Sequence, residues 1–194
     1  MIISFLISYL LGSIPFGKIV TKVLTGKDIT KTGSQNIGAT NVYRSVSKKA
    51  GLLVLILDGI KPMLALVLIS YLFNEYYQNF KFLYFFISIV GHVFPIWLMF
   101  KGGKGVACFF GGFVIISPIP TLISMAVWIV TVKITKISSL GALLSIFLLT
   151  SYQIVSNYGT LNKVTIFAIM LLIFWKHSEN IKRLMQGKEN KINL

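Results

Sequence analysis

The chain has almost none of the side chains from which proteins build covalent staples or metal centres. One cysteine and two histidines stand among 194 residues. A single cysteine excludes an intrachain disulfide, and Cys108 lies in an apolar stretch where packing is its expected role. No Cys/His cluster suggests zinc. Acid is equally scarce: five Asp and Glu, widely spread, suggest neither a two-metal phosphatase nor the buried acidic relay of a proton-coupled transporter. Charged residues make up 12% of the chain, about half the share typical of a soluble domain.

What fills the space is hydrocarbon. Hydrophobic residues are 55% of the sequence and the mean hydropathy is +0.80. Long apolar runs recur at Ile2–Tyr9, Gly51–Ile60, Met63–Phe73, Phe82–Val90, Phe109–Ile116, Leu140–Ile154 and Val164–Trp175. A chain of this length cannot build a core large enough to bury them, so lipid must. The net charge of +14 would suggest nucleic acid in a soluble protein. Between hydrophobic segments, basic residues instead set orientation and meet anionic headgroups, so no nucleic-acid partner is expected. No basic stretch or small-residue cleavage site precedes Lys18, and the first apolar segment reads as a retained helix rather than a signal peptide.

The predicted fold is all-α, a polytopic membrane protein with spans near residues 2–24, 51–73, 82–100, 105–132, 140–156 and 161–175. The fourth is long for one span of about 20 residues, and Ser117-Pro118-Ile119-Pro120 stands in its middle. Two prolines remove two backbone donors and disfavour helix at the residues before them. If they separate two helices, fourteen Lys and Arg fall on one side of the membrane and only Lys81 and Lys163 on the other. If they merely kink one helix, that asymmetry nearly vanishes. The positive-inside rule therefore favours about seven spans, N-terminus out and C-terminus in, with the two halves of 105–132 short enough to be tilted or re-entrant. No repeat or second domain is evident, so residues 1–194 are expected to form one domain.

Polar residues gather in the segments placed inside. The first reads Thr32-Gly-Ser-Gln-Asn-Ile-Gly-Ala-Thr-Asn-Val-Tyr-Arg44. Amides exposed by glycine, small hydroxyls and the planar fork of Arg44 suit a phosphate. An ordinary polar connection between helices has much the same composition. The second contains Lys101-Gly-Gly-Lys104-Gly105, in which glycine permits close backbone approach and lysine supplies a compact charge. Snorkelling lysines around a flexible turn are the plainer reading. It is not a Walker A loop, because Leu98 and Gly105 stand where that motif needs Gly and Ser or Thr. The third segment carries Ser138, Ser139 and Gly141; the tail carries His177 and Asn180, three apart and on one helical face. Asp58 and Lys61, also three apart, lie within an apolar run, where a mutual salt bridge or a supporting role beneath the site is expected. No His-x-x-x-x-Asp pair exists, since Trp97 and Lys182 occupy the fifth position after the two histidines. That removes the general-base pair of acyl-CoA-dependent glycerolipid acyltransferases.

Together these segments resemble one family, the bacterial acyl-phosphate:glycerol-3-phosphate acyltransferases, which are integral membrane enzymes. The likeness runs through Gly12-Ser-Ile-Pro-Phe-Gly17, Gly33 to Arg44, Gly91-His-Val-Phe-Pro95, Lys101 to Ala107, Ser138-Ser-Leu-Gly141 and His177-Ser-Glu-Asn-Ile-Lys-Arg-Leu184. One departure is Gln35, where the family usually has glycine; if that position needs positive φ, Gln35 bears a modest strain. The resemblance implies transfer of a fatty acyl group from acyl phosphate to the 1-hydroxyl of glycerol 3-phosphate, giving lysophosphatidic acid and inorganic phosphate. It implies no cofactor and no metal, a bacterial cell membrane location with the active site on the cytoplasmic side, and transient contact with the soluble enzyme that forms acyl phosphate. Expected catalytic residues are Ser34, Arg44, Lys104, Ser139, His177 and Asn180. Substrate binding is expected of Asn36, Thr40, Asn41, Gly102, Gly103, Gly105 and Ser138. The competing class is a transporter or channel for a phosphorylated small molecule, which would need polar residues continuing to the outer loops around Asn74–Lys81 and Asn157–Lys163, and these offer little.

Overall fold

The computed structural model describes residues 1–156 and 159–192; Asn157 and Tyr158, in the segment expected to be an outer loop, lie outside the described residues. Helices and short turns make up the described chain, with no strand among its residues. Two compact units divide it, Met1–Ile115 and Ile116–Leu194.

The first unit opens with α1 (Ile2–Ser13) and α2 (Phe16–Thr25), which together are long and apolar enough to cross a bilayer. Pro15 interrupts them, having no N–H to continue the ladder. A 3-10 turn (Ile29–Lys31) and α3 (Ala39–Ser45) fold up the polar segment that follows. Ser47 then caps α4 (Lys48–Leu72), its hydroxyl accepting from Ala50 N at 3.1 Å, and α5 (Asn74–Val93) returns. The short α6 (Val106–Ile116) ends the unit.

Packing here inverts the order of a soluble protein. The buried residues of α1 are Ser4, Ser8, Gly12 and Ser13, while Ile2, Leu6 and Leu10 on the same helix are exposed. Small residues let helix backbones approach, and the apolar face is left for acyl chains. The approach is close where α1 meets α5: a Cβ on Gly12 would overlap the Ser88 carbonyl, and one on Gly91 the Tyr9 carbonyl. Beyond that crossing, Phe85 and Phe109 pack on Phe113 with ring centroids 5.1 and 4.8 Å apart, forming the aromatic core between α5 and α6.

The second unit holds α7 (Pro118–Thr135), α8 (Ser138–Val155), α9 (Thr160–Lys176) and α10 (Ser178–Met185). Lys136 turns the chain between α7 and α8 with φ of 62°, and Ser124 Oγ donates to the Ser145 carbonyl at 2.6 Å across the pair. α9 and α10 meet at a 61° bend. The tail then folds back, Ile192 N donating to the Lys136 carbonyl at 2.7 Å.

The double proline does separate two helices. α6 stops at Ile116, Ser117 leaves helical geometry, and Pro118 opens α7, where a missing N–H costs nothing. The halves are unequal, however. α6 has 11 residues, too short to cross about 30 Å of hydrocarbon alone, whereas α7 has 18 and can. α7 gains its length by starting at the proline itself and running on to Thr135. Among the described residues, five spans meet both length and apolarity, or six if the bent pair α9–α10 is one.

Candidate active site

In the first unit, the polar segment before α4 is organised around Asn41. Its side chain is buried, accepting from Ser34 N at 3.0 Å and donating to the carbonyls of Thr32 and Asn36 at 2.9 and 2.8 Å. Asn36 Oδ1 in turn accepts from Gly38 N at 2.8 Å, just ahead of α3. Both asparagines thus shape the loop from within. Thr40 and Arg44, four apart, share the other face of α3, and Arg44 is exposed, as is Ser34 on the loop. Gln35 adopts φ of 59°, so the condition for strain at this position is met. A left-handed residue with a side chain is strained, so Gln35→Gly should stabilise the protein by about 0.5–1 kcal/mol after the greater entropy of the unfolded glycine is deducted. Thermal unfolding in detergent tests this; a lower midpoint for the variant would show that the loop holds Gln35 without strain.

The Lys101–Gly105 segment lies against the end of α5. Gly102 N donates to the Val93 carbonyl at 3.0 Å and Gly103 N to that of His92 at 3.1 Å. These two amides therefore fasten the segment, and what their glycines provide is closeness: a Cβ on Gly103 would run into the His92 ring. Gly105, at φ of 86°, turns the chain into α6 and its carbonyl accepts the Phe109 N–H at 2.8 Å. Lys104 is partly exposed between them, one residue before the turn into a helix N-terminus, where both ammonium and helix dipole favour an anion.

In the second unit, Ser138 and Ser139 begin α8, and His177 occupies the bend between α9 and α10. His177 is buried, its Nδ1 2.8 Å from the Ile173 carbonyl. A carbonyl only accepts, so Nδ1 carries a proton, and in a neutral ring the lone pair falls on Nε2, the atom that a general base would use. Asn180 lies one turn on, also buried.

A residue that sequence reasoning passed over gathers this cluster. Glu189 Oε1 accepts from Ser139 Oγ at 3.0 Å and Asn180 Nδ2 at 2.6 Å, while its Oε2 pairs with Arg183 Nε at 2.7 Å. The available signal was one of only two acids in a strongly basic tail. Partial burial opposes its charge, but hydrogen bonds from Asn180, Arg183 and Ser139 and the nearby guanidinium outweigh it and hold the carboxyl below its ordinary range. A lowered carboxyl stabilises the fold above the unfolded pKa, near 4.3, and that contribution is lost as pH falls through the folded value. Glu189→Gln should lower the melting temperature at pH 7, and its deficit against the native protein should shrink as both are taken below pH 4. A deficit that stays constant with pH would mean the charge is irrelevant.

The described geometry joins Ser34, Asn36 and Asn41 in one loop, Gly102, Gly103 and Lys104 against His92, and Ser139 and Asn180 through Glu189. The family model described as glycerol-3-phosphate acyltransferase matches residues 2–187. A glycerol-3-phosphate acyltransferase of Ehrlichia chaffeensis is 41% identical over 189 residues, covering 97% of this chain and 94% of its own, and one of Pelagibacter ubique is 43% identical over 188 residues, covering 96% and 95%. Among solved structures, the glycerol 3-phosphate form of PlsY (YgiH), an integral membrane glycerol 3-phosphate acyltransferase, is 34% identical with a TM-score of 0.89 over 99% of this chain and 95% of its own. The lysophosphatidic acid form of PlsY has a TM-score of 0.86 at 31% identity, with the same coverage. Similarity of sequence and of fold runs the whole length, and the chain belongs to the glycerol-3-phosphate acyltransferase family.

Proposed function

We propose that this membrane protein transfers a fatty acyl group from acyl phosphate to the 1-hydroxyl of glycerol 3-phosphate. The observation that carries the reading is the near-complete match to PlsY in forms named for glycerol 3-phosphate and for lysophosphatidic acid, the acceptor and the product of such a transfer. The hydroxyl oxygen attacks the acyl carbon, the bond from that carbon to the phosphate oxygen breaks, and the hydroxyl proton leaves with a base. Acyl phosphate is already activated, so no covalent nucleophile is needed. In this reading Lys104 and Arg44 bind phosphate and stabilise charge on the departing phosphate and the tetrahedral oxyanion. Ser34 and Thr40 hydrogen-bond phosphate oxygens. Asn36, Asn41, Gly102, Gly103 and Gly105 hold the two loops in shape. Ser138, Ser139, His177 and Asn180 position the glycerol hydroxyls and the carbonyl. The proton goes to His177 Nε2 or to the acyl phosphate itself. A His177→Gln variant that loses only a few fold in rate would favour the substrate as base.

The enzyme is read as seven-pass in the bacterial cell membrane, N-terminus out, with its chemistry on the cytoplasmic side, where acyl phosphate arrives from a soluble enzyme by transient contact. Support for this comes from the asymmetry of basic residues.

Purified protein in lipid, given palmitoyl phosphate with and without glycerol 3-phosphate, tests the assignment. Phosphate release that depends on glycerol 3-phosphate and is matched by lysophosphatidic acid is the expected result. Well-folded protein without such release would exclude the reaction and bring the transporter reading forward.

A further inference from the structure

Beneath the Lys101–Gly105 segment lies a cluster of ionisable side chains that the proposed chemistry does not use. Asp58 and Lys61 on α4 and His92 on α5 are all buried, at 1%, 1% and 3% exposure. Buried ionisable groups inside a membrane span are costly and persist where they have a task. Lys61 Nζ faces three acceptors: Asp58 Oδ1 at 3.0 Å, the Ile14 carbonyl at 3.0 Å and His92 Nδ1 at 2.7 Å. An ammonium has three donors and no lone pair, so Lys61 can only donate. The contact with Asp58 is electrostatic rather than a well-aligned hydrogen bond. His92 Nδ1 must then accept, which puts the imidazole proton on Nε2. This is the opposite tautomer to that of His177.

The orientation of that ring matters because of what rests on it. Its Nε2 edge abuts Gly103 closely enough to exclude a Cβ there, and the His92 and Val93 carbonyls receive the Gly103 and Gly102 amides. One residue therefore supports the segment through both its side chain and its backbone, directly before Lys104. A rotated imidazole would press on Gly103, the residue next to Lys104.

We propose that Asp58, Lys61 and His92 form a buried positioning array that holds the Gly102–Lys104 segment at the height and angle that phosphate binding requires. The inference rests on the reading of Lys104 as a phosphate ligand. None of the three residues touches substrate in this account; they act through Lys104.

Calorimetric dissociation constants for glycerol 3-phosphate and for inorganic phosphate, measured on the purified full chain, test it. The set comprises native protein, His92→Asn, Lys104→Ala and the double variant. Asn keeps an acceptor near Lys61 but cannot reach Gly103. His92→Asn should weaken at least one of the two ligands about tenfold, and the double variant should bind that ligand no worse than Lys104→Ala, within threefold. Non-additivity of that kind marks action through a shared residue, which general loss of structure would not produce. Gly103→Ala presses on the same ring from the other side, leaves the array's side chains in place and should give the same selective loss; it stands in if His92→Asn fails to fold. Affinities within twofold of native in His92→Asn or Gly103→Ala, or losses that add to that of Lys104→Ala, would overturn the positioning role alone. Unchanged affinities in Lys104→Ala would overturn the phosphate reading as well.

Discussion

Lys104→Ala should reduce glycerol 3-phosphate-dependent phosphate release by about two to three orders of magnitude, the range seen when one preorganised donor is removed from a developing oxyanion. The argument is electrostatic. A departing phosphate gains charge as the acyl bond breaks, and a fixed ammonium beside a helix N-terminus stabilises that charge without first having to reorganise water. Lys104 is fixed by its neighbours rather than by its own stem, since the amides of Gly102 and Gly103 are tied to the end of α5 and Gly105 turns the chain into α6. Melting behaviour should be nearly unchanged, because the residue is partly exposed and outside the packed helices. Initial-rate assays alongside melting curves separate the two effects. A loss under tenfold would remove Lys104 from the catalytic set.

The second large effect concerns folding. Gly91→Leu should cost at least about 3 kcal/mol and leave little recoverable protein in mild detergent. A side chain at this position meets the Tyr9 carbonyl and lies within 2.9 Å of Ser13 N, both backbone atoms of α1 that no rotamer change can move aside. Separating α1 from α5 would strip the first unit of a close helix pair and disturb His92, the next residue. Gly91→Ala should show the same sign with a smaller size. Recovery of Gly91→Leu at native yield and melting temperature would mean the helices part there without penalty.

Much of this molecule was legible before any coordinates. Apolar runs gave the helices, because lipid leaves the backbone no partner but its own ladder. The double proline predicted a break, and α6 and α7 part at Ser117. Lengths were less accessible: a proline can open a helix as easily as end one, so α7 was read too short. The seven residues of α3 were invisible, since the helix is held by Asn36 and Asn41 rather than by an apolar face. Asn41 read as a ligand for phosphate because composition cannot tell an outward amide from an inward one. Glu189 was missed for a related reason, as only the returning tail brings it to Ser139 and Asn180. The Asp58–Lys61 pair was seen by spacing, whereas its third member lies on another helix.

The returning tail also fixes an order of events during synthesis. Glu189 follows Ser139, Asn180 and Arg183 along the chain, so its carboxylate is made after every group that it gathers. Until the ribosome reaches residue 189, Ser139, Asn180 and Arg183 belong to a nascent protein whose helices can already be in the membrane but whose polar cluster has no anion at its centre. Translation through codon 189 is therefore what closes this cluster, and a chain released before it would keep its spans while lacking the group that gathers Ser139, Asn180 and Arg183.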